Sequence, residues 1–378
     1  MSQVKNELAF LLYGGGARAA YQAGYLRGLG RLLPDLRVDI IVGISAGAIN
    51  AAGLASIPGN FRERTEELAR LWSELTTSDV FDVRGYRLLR RSLHWILKLG
   101  GGGRFSDPRG LLDNSPLRAL LSRVLPSEDG QLLGVTDKMD RGELHALAIL
   151  ASSYETGRSV SFVQGRELNG WQRPHRIGVS CEIGIRHVMA SAALPFLFPA
   201  ERVDGTWYGD GGMRLTTPLS PAIHLGADRI LAISTRYDRS VEEAERPEIV
   251  GYPPPAQVAG VLLNSIFLDA LDGDALRLER INSLLDGEQQ KDLRPIDLRT
   301  TRPSVDLGIL ASAHEHDTPG ALRFLARGTG TKETRSNDLL SLVLFEPSYL
   351  SEMIRVGEDD AAQNAEELVR FLAPTISR

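Results

Sequence analysis

Three short stretches carry residue types and spacings suited to chemistry. The first is Gly43-Ile44-Ser45-Ala46-Gly47, a serine with glycines two positions to either side. It follows the β-branched run Ile40 to Val42 and opens the small-residue stretch Ala46 to Leu54. That pattern predicts a buried strand, a sharp turn at Ser45 and a helix, a nucleophile elbow that lifts a hydroxyl above a sheet edge at a positive helix N-terminus. The second stretch is Gly14-Gly15-Gly16-Ala17-Arg18, whose amides are unobstructed by side chains. The third is Gly209-Asp210-Gly211-Gly212, where glycines let the backbone carry a carboxylate close to another group.

The elements around these stretches explain how they would meet. Leu8 to Tyr13 reads as a buried strand running into the glycines, and Arg18 to Leu33 as an amphipathic helix stopped by Pro34. Gly16 and Ser45 are 29 positions apart, the length of one βαβ unit, whose crossover makes the two strands parallel. The glycine loop and the serine then lie side by side at the carboxyl edge of one sheet. Gly14-x-Gly16-x-x-Ala19 loosely fits a dinucleotide fingerprint, but the second strand lacks the acidic residue that would hold a ribose. No Gly-Lys-Ser/Thr follows, so it is not a phosphate-binding P-loop. An oxyanion hole built from amides around Gly15 and Gly16, with that of Ala46, uses both motifs.

Further along, helices are expected over Arg62 to Leu75 and Tyr86 to Leu99, the second bearing Arg87, Arg90, Arg91 and Lys98. A basic amphipathic helix of that kind fits either a membrane surface or a solvated charged face. Strands are expected over Leu144 to Ser152 and Ser159 to Gln164, a helix over Ile183 to Ser191, and a hairpin at Asp204-Gly205 that delivers Asp210. Leu219 to Leu225 reads as a helix and Arg229 to Ser234 as a strand, which places Asp210 in a βα module of the same sheet. Gln257 to Leu285 reads as helical, Leu339 to Phe345 as a late strand and Ala361 to Leu372 as a final helix. His314-Glu315-His316-Asp317 has a metal-like composition, but its spacing matches no standard site and a solvated loop is expected.

Composition sets the outer limits. The 378 residues, 43% hydrophobic and 24% charged, describe a globular chain able to bury a sizeable core. A net charge of −5 gives no general attraction to nucleic acid or anionic membrane. One cysteine, Cys181, cannot form an internal disulfide and suits a reducing compartment. The apolar run near the start is too short for a signal-peptide core, and no stretch approaches the ~20 apolar residues of a membrane span. A cytoplasmic protein is expected, with any membrane contact peripheral.

With these motifs placed, the chain resembles the patatin-like phospholipases in their bacterial form. The likeness extends to Ala151 to Arg158, Met189 to Pro199, Trp207 to Gly212 and Thr217 to Asp228, and covers most of the chain to about residue 236. The resemblance implies an α/β fold, a three-layer α/β/α sandwich with a mostly parallel central sheet. It implies one domain over residues 1–378, with a helical insertion around 61–130 and a helical C-terminal part around 256–378. It further implies hydrolysis of fatty-acyl esters of (lyso)phospholipids or related lipids, with no cofactor and no metal. By motif position Ser45 is the nucleophile, Asp210 the base, and Gly15, Gly16 and Arg18 the oxyanion-hole region, with Gly14, Gly43, Gly47 and Gly211 as motif glycines. Tyr13 and Ala19 depart from the family's usual residues and are expected to narrow the acyl site. The partner implied is a lipid acyl ester; oligomeric state is left open.

Three other readings compete. An α/β-hydrolase triad would use His224, His314 or His316 after Asp210, yet such enzymes place several strands before their elbow. A malonyl-type acyltransferase usually has histidine before the serine, where this chain has Ile44. A nucleotide- or lipid-binding module would bind without turnover.

Overall fold

A computed structural model describes residues 6–82, 110–165, 170–245, 252, 255–267, 269–285, 293–318, 320 and 338–373. The basic stretch Tyr86 to Leu99 lies outside the described residues.

The core is one ten-stranded sheet whose main path runs β12-β11-β1-β2-β5-β6-β8-β7. Five neighbouring strands are parallel: β12 (Asp297–Thr301), β11 (Arg229–Ile233), β1 (Leu8–Leu12), β2 (Ile40–Ile44) and β5 (Ala146–Ser153). Beyond β5 the sheet is mixed. β6 (Ser159–Gly165) is antiparallel to β5, β8 (Arg176–Ser180) is parallel to β6, and β7 (Gln172–Arg173) closes the edge. A small hairpin, β3 (Ser127–Glu128) and β4 (Gln131–Leu132), stands apart.

Strand periodicity explains the layering, because successive side chains point to opposite faces. Leu8, Phe10 and Leu12 of β1 join one apolar core, and Ala9, Leu11 and Tyr13 join the other. Both faces are covered, as a parallel sheet of such apolar strands requires. On the first face lie α1 (Ala19–Leu32), α2 (Ala46–Ser56) and α3 (Phe61–Ser73), with the helix Pro347–Gln363 against α1. That last crossing is close: a Cβ on Gly24 would meet the Ile354 carbonyl oxygen at 2.0 Å. On the second face Leu219 and the helices Ser220–His224 and Ala270–Leu285, through Ala222, Leu271 and Leu278, pack on the sheet.

Several sequence expectations need revision. Leu339 to Phe345 is not a strand: a helix spans Asp338–Val343. A short apolar run fits either period, and here its position against the glycine loop decides. The helix expected over Ala361 to Leu372 is interrupted at Asn364: its first residues end the longer helix Pro347–Gln363 and the rest form Ala365–Leu372. Gln257 to Leu285 likewise divides, into Pro255–Phe267 and Ala270–Leu285. The C-terminal part also contributes a strand, β12, to the main sheet. Asp210 is delivered by the expected hairpin, β9 (Glu201–Val203) and β10 (Thr206–Asp210), which is laid antiparallel on the end of β5. The turn chemistry of that hairpin is as expected, with Asp204 and Gly205 at φ 47° and 90°.

Candidate active site

Ser45 sits between β2 and α2 with φ 55° and ψ −130°, a sparsely populated conformation for a residue with a Cβ. The elbow survives because its neighbours are small. A Cβ on Gly47 would lie 2.1 Å from the Leu12 carbonyl oxygen, and one on Gly43 would lie 2.6 Å from Ala48 Cα. The Ser45 amide donates to Ser191 Oγ at 2.9 Å, which fixes the turn from the helix Ile185–Ser191.

Asp210 reaches the same point from the end of β10. Ser45 Oγ donates to Asp210 Oδ2 at 2.6 Å, and Gly212 N donates to Asp210 Oδ1 at 2.8 Å. The carboxylate is fully buried and Ser45 is 3% exposed. Burial pushes the Asp210 carboxyl up to about 7, against the lowering effect of the Ser45 hydroxyl and the Gly212 amide. Gly211 is required where the chain leaves Asp210, since a Cβ there would lie 2.3 Å from the Leu150 carbonyl oxygen.

The glycine loop passes directly over the serine. A Cβ on Gly14 would lie 2.7 Å from Ser45 Cβ. Gly15 and Gly16 adopt φ 154° and 56° and lead into a 3-10 turn, Gly16–Arg18, and then α1. Gly16 and Ala46 each stand at the first position of a helix, where amides have no intrahelical acceptor. Both residues line the same cavity as Ser45. Arg18 is turned away from this convergence. Its amide donates to the Gly15 carbonyl, and its guanidinium bonds Ser341 Oγ at 2.7 Å and Asp338 Oδ1 at 2.6 Å. Arg18 therefore ties the loop to the helix Asp338–Val343 rather than presenting a donor beside Ser45.

The cavity beside Ser45 is apolar. Ile49, Leu71, Leu121, Leu194 and Phe345 are among its walls, and Ser45 lines it too. Trp72 also lines it but turns its indole N–H to Asn50 Oδ1 at 2.6 Å. Asn50 in turn bonds Gln22 Oε1 at 3.0 Å, and Gln22 donates to the Tyr13 and Ile233 carbonyls at the strand ends. This buried polar chain joins α1, α2 and α3 behind the site. Tyr13 and Ala19 are not among the cavity walls, so neither narrows it; the Tyr13 ring faces the other core.

The histidines proposed for a triad lie elsewhere. His224 bonds Ser220 and stacks on Trp171, His314 lies between Asp317 and Glu352, and His316 faces Asp317. Among the described residues no histidine is hydrogen-bonded to Ser45 or Asp210, and no group of three metal-ligating side chains is assembled. The sequence reading missed Ser191, Thr235 and Asp338. Thr235 donates its hydroxyl to the Gly14 carbonyl at 2.6 Å, and no local pattern marks it.

A patatin-like phospholipase family model matches residues 10–223, which includes the glycine loop, Ser45 and Asp210; the chain belongs to that family. Solved structures similar in fold include VipD from Legionella pneumophila, at 13% identity and TM-score 0.40, over 96% of this chain and 67% of that one. Human GIVD cytosolic phospholipase A2 is similar at 14% identity and TM-score 0.45, over 98% of this chain and 63% of that one. The same human enzyme in complex with methyl gamma-linolenyl fluorophosphonate aligns at TM-score 0.44 and 14% identity, over 98% of this chain and 59% of that one. The chain thus spans about three fifths to two thirds of the length of these structures. No curated protein matches the sequence. Among the described residues no helix is long and apolar enough to cross a membrane.

Proposed function

We propose that the protein hydrolyses acyl esters of lipids, (lyso)phospholipids among them, with Ser45 as nucleophile and Asp210 as its base. The observation that carries this reading is the Ser45–Asp210 hydrogen bond beside an apolar cavity that Ser45 lines. A free aspartate is a poor match for a serine proton, but a carboxyl pushed up to about 7 is suited to general base catalysis at neutral pH.

In the proposed cycle Asp210 Oδ2 accepts the Ser45 proton as Oγ attacks the ester carbonyl. The tetrahedral oxyanion faces the amides of Gly15, Gly16 and Ala46, where two helix N-termini add their positive ends. Collapse breaks the bond to the alcohol, which leaves with the proton from Asp210, and the acyl chain stays on Ser45 inside the apolar cavity. Water then attacks the acyl-enzyme, giving its proton to Asp210, and releases the fatty acid and the serine hydroxyl. No histidine and no cofactor is used in this sequence of steps.

A hydrolysis screen over short esters, lysophospholipids and diacyl phospholipids, with Ser45→Ala as blank, tests the reading. Turnover that disappears in the blank is expected; turnover that persists in Ser45→Ala, or none on any ester, refutes it.

A further inference from the structure

The glycine loop above Ser45 is held by its carbonyls and not by its amides. Strands β1 and β11 pair in parallel with Leu12 opposite Ile233, and the ladder carries on to Tyr13, whose amide donates to the Ile233 carbonyl at 3.2 Å. Two positions beyond that last pair stand Gly14 and Thr235, and the buried Thr235 hydroxyl donates to the Gly14 carbonyl at 2.6 Å. The carbonyls on either side are taken as well. Gln22 Nε2 donates to the Tyr13 carbonyl at 2.6 Å, and the Arg18 amide donates to the Gly15 carbonyl at 3.1 Å. The amides of Gly15 and Gly16, by contrast, meet no acceptor among the described residues, although both residues are buried. Buried amides are nearly always paired, so two in succession without an acceptor mark a place kept for an oxygen of a ligand.

Thr235 sets the direction of the first of these amides. The Gly14–Gly15 peptide is trans and planar, with its C=O and N–H on opposite sides. Holding the carbonyl on the Thr235 side therefore turns the Gly15 N–H to the other side. The same peptide runs beside the nucleophile, since a Cβ on Gly14 would lie 3.3 Å from Ser45 Oγ. Between two glycines a peptide plane is otherwise free to flip, because neither has a Cβ to oppose the rotation. A bulkier residue cannot supply the stiffness at Gly15, where a Cβ would lie 2.3 Å from Thr235 Oγ1. The hydroxyl has to supply it instead.

We propose that Thr235 is a positioning residue for the oxyanion site, whose hydroxyl locks the Gly14–Gly15 peptide with the Gly15 N–H turned to the reacting carbonyl oxygen. Thr235 itself touches neither the substrate nor the reacting atoms. The proposal rests on the hydrolase reading and adds the residue that aims one oxyanion donor. The Gly16 and Ala46 amides belong to helix starts and need no such lock. Loss of the hydroxyl therefore misdirects one donor of several and leaves the rest of the site in place.

The test compares wild type, Thr235→Val and Thr235→Ser on a soluble p-nitrophenyl ester. It also measures binding of an alkyl trifluoromethyl ketone, whose adduct with Ser45 carries the oxyanion, and of the corresponding alkyl ether, which carries none. Thermal melting checks that the variants fold. The proposal expects Thr235→Val to lower kcat on the order of 10- to 100-fold with KM changed less than about twofold, and to weaken the ketone by a similar factor while the ether binds as before. Thr235→Ser, which keeps the donor, should stay within about threefold of wild type in kcat and in ketone binding. Ether binding that falls as far as ketone binding, or a Thr235→Ser variant as impaired as Thr235→Val, shows a packing role and overturns the proposal. A Thr235→Val variant with the wild-type kcat overturns it as well. Where Thr235→Val does not fold, Thr235→Ala takes its place under the same expectations. If the wild type turns over no ester, the hydrolase reading fails separately. The ketone then tests the loop alone: binding that is strong in wild type and Thr235→Ser and weak in Thr235→Val sustains the aimed amide, and equal binding or none refutes it.

Discussion

Ser45 and Asp210 are 165 positions apart in the chain and share a 2.6 Å hydrogen bond between two buried side chains. Each arrives from a different kind of connection, Ser45 from a parallel strand-to-helix turn and Asp210 from an antiparallel hairpin. Because burial lifts the Asp210 carboxyl to about 7, the ionised form needed to accept a proton dominates only above that pH. Hydrolysis of a short uncharged ester should therefore rise with pH on one ionisation near 7 and level off above it. A rate profile already flat from pH 5 upward would place the carboxyl at an ordinary value and contradict the burial argument.

The same burial has a stability consequence. Asp210 holds its proton to about 7 in the folded chain but loses it near the ordinary carboxyl value of 3.8 when unfolded. Its contribution is fully present below the unfolded pKa and is lost as pH rises through about 7. Asp210→Asn removes that loss, so the variant should exceed wild type in stability at pH 8 by on the order of 2–4 kcal/mol, with the difference shrinking toward pH 4. Denaturant melts at both pH values measure this directly, and an equal difference at both would refute the linkage.

Arg18 is 4% exposed and joins the loop above Ser45 to Asp338 and Ser341. The helix carrying those partners also presses on Gly16, where a Cβ would lie 2.1 Å from the Leu342 carbonyl oxygen. Arg18→Met should let the loop drift and lower kcat about tenfold or more with KM little changed, since positioning of the oxyanion amides acts in the transition state. It also takes the guanidinium from the half-buried Asp338 carboxylate, which keeps the Asn264 amide at 2.6 Å, at a cost of about 1–3 kcal/mol in folding. Asp338→Asn, which keeps a hydrogen-bonding side chain, should restore part of the stability of Arg18→Met; no recovery in the double variant would contradict this pairing.

Most of the site was legible in the sequence because it is written in backbone constraints. Gly43, Gly47 and Gly211 mark places where a carbonyl or a neighbouring helix leaves no room for a Cβ, and such constraints are local enough to read. Ser191, Thr235 and Asp338 were not legible because each acts through hydrogen bonds to residues far away in the chain, with no spacing to announce them. The helix Asp338–Val343 was misread for the same reason: its apolar residues are sorted by what they pack against, the glycine loop on one side and Phe345's cavity beside it. The mixed half of the sheet was hidden because β6 and β8 carry the same alternating pattern in either direction.

Leu121 lies in the wall of the apolar cavity on the helix Ser115–Val124 and is 2% exposed. Leu121→Ala opens space next to Ser45's cavity without touching the reacting groups. Relative kcat/KM should shift toward longer acyl chains by on the order of 10-fold, the value of one or two methylenes in an apolar pocket, while stability falls by about 2–5 kcal/mol. A chain-length series of esters with a common alcohol measures it, and an unchanged length profile in a folded variant would place the acyl chain elsewhere.

The most direct measurement is covalent labelling with an alkyl fluorophosphonate, read by intact mass and peptide mapping. The account predicts a single adduct on Ser45, absent in Ser45→Ala and formed on the order of 10²- to 10⁴-fold more slowly in Asp210→Asn. An adduct on another residue, no adduct at all, or an Asp210→Asn variant that labels as fast as wild type would contradict it.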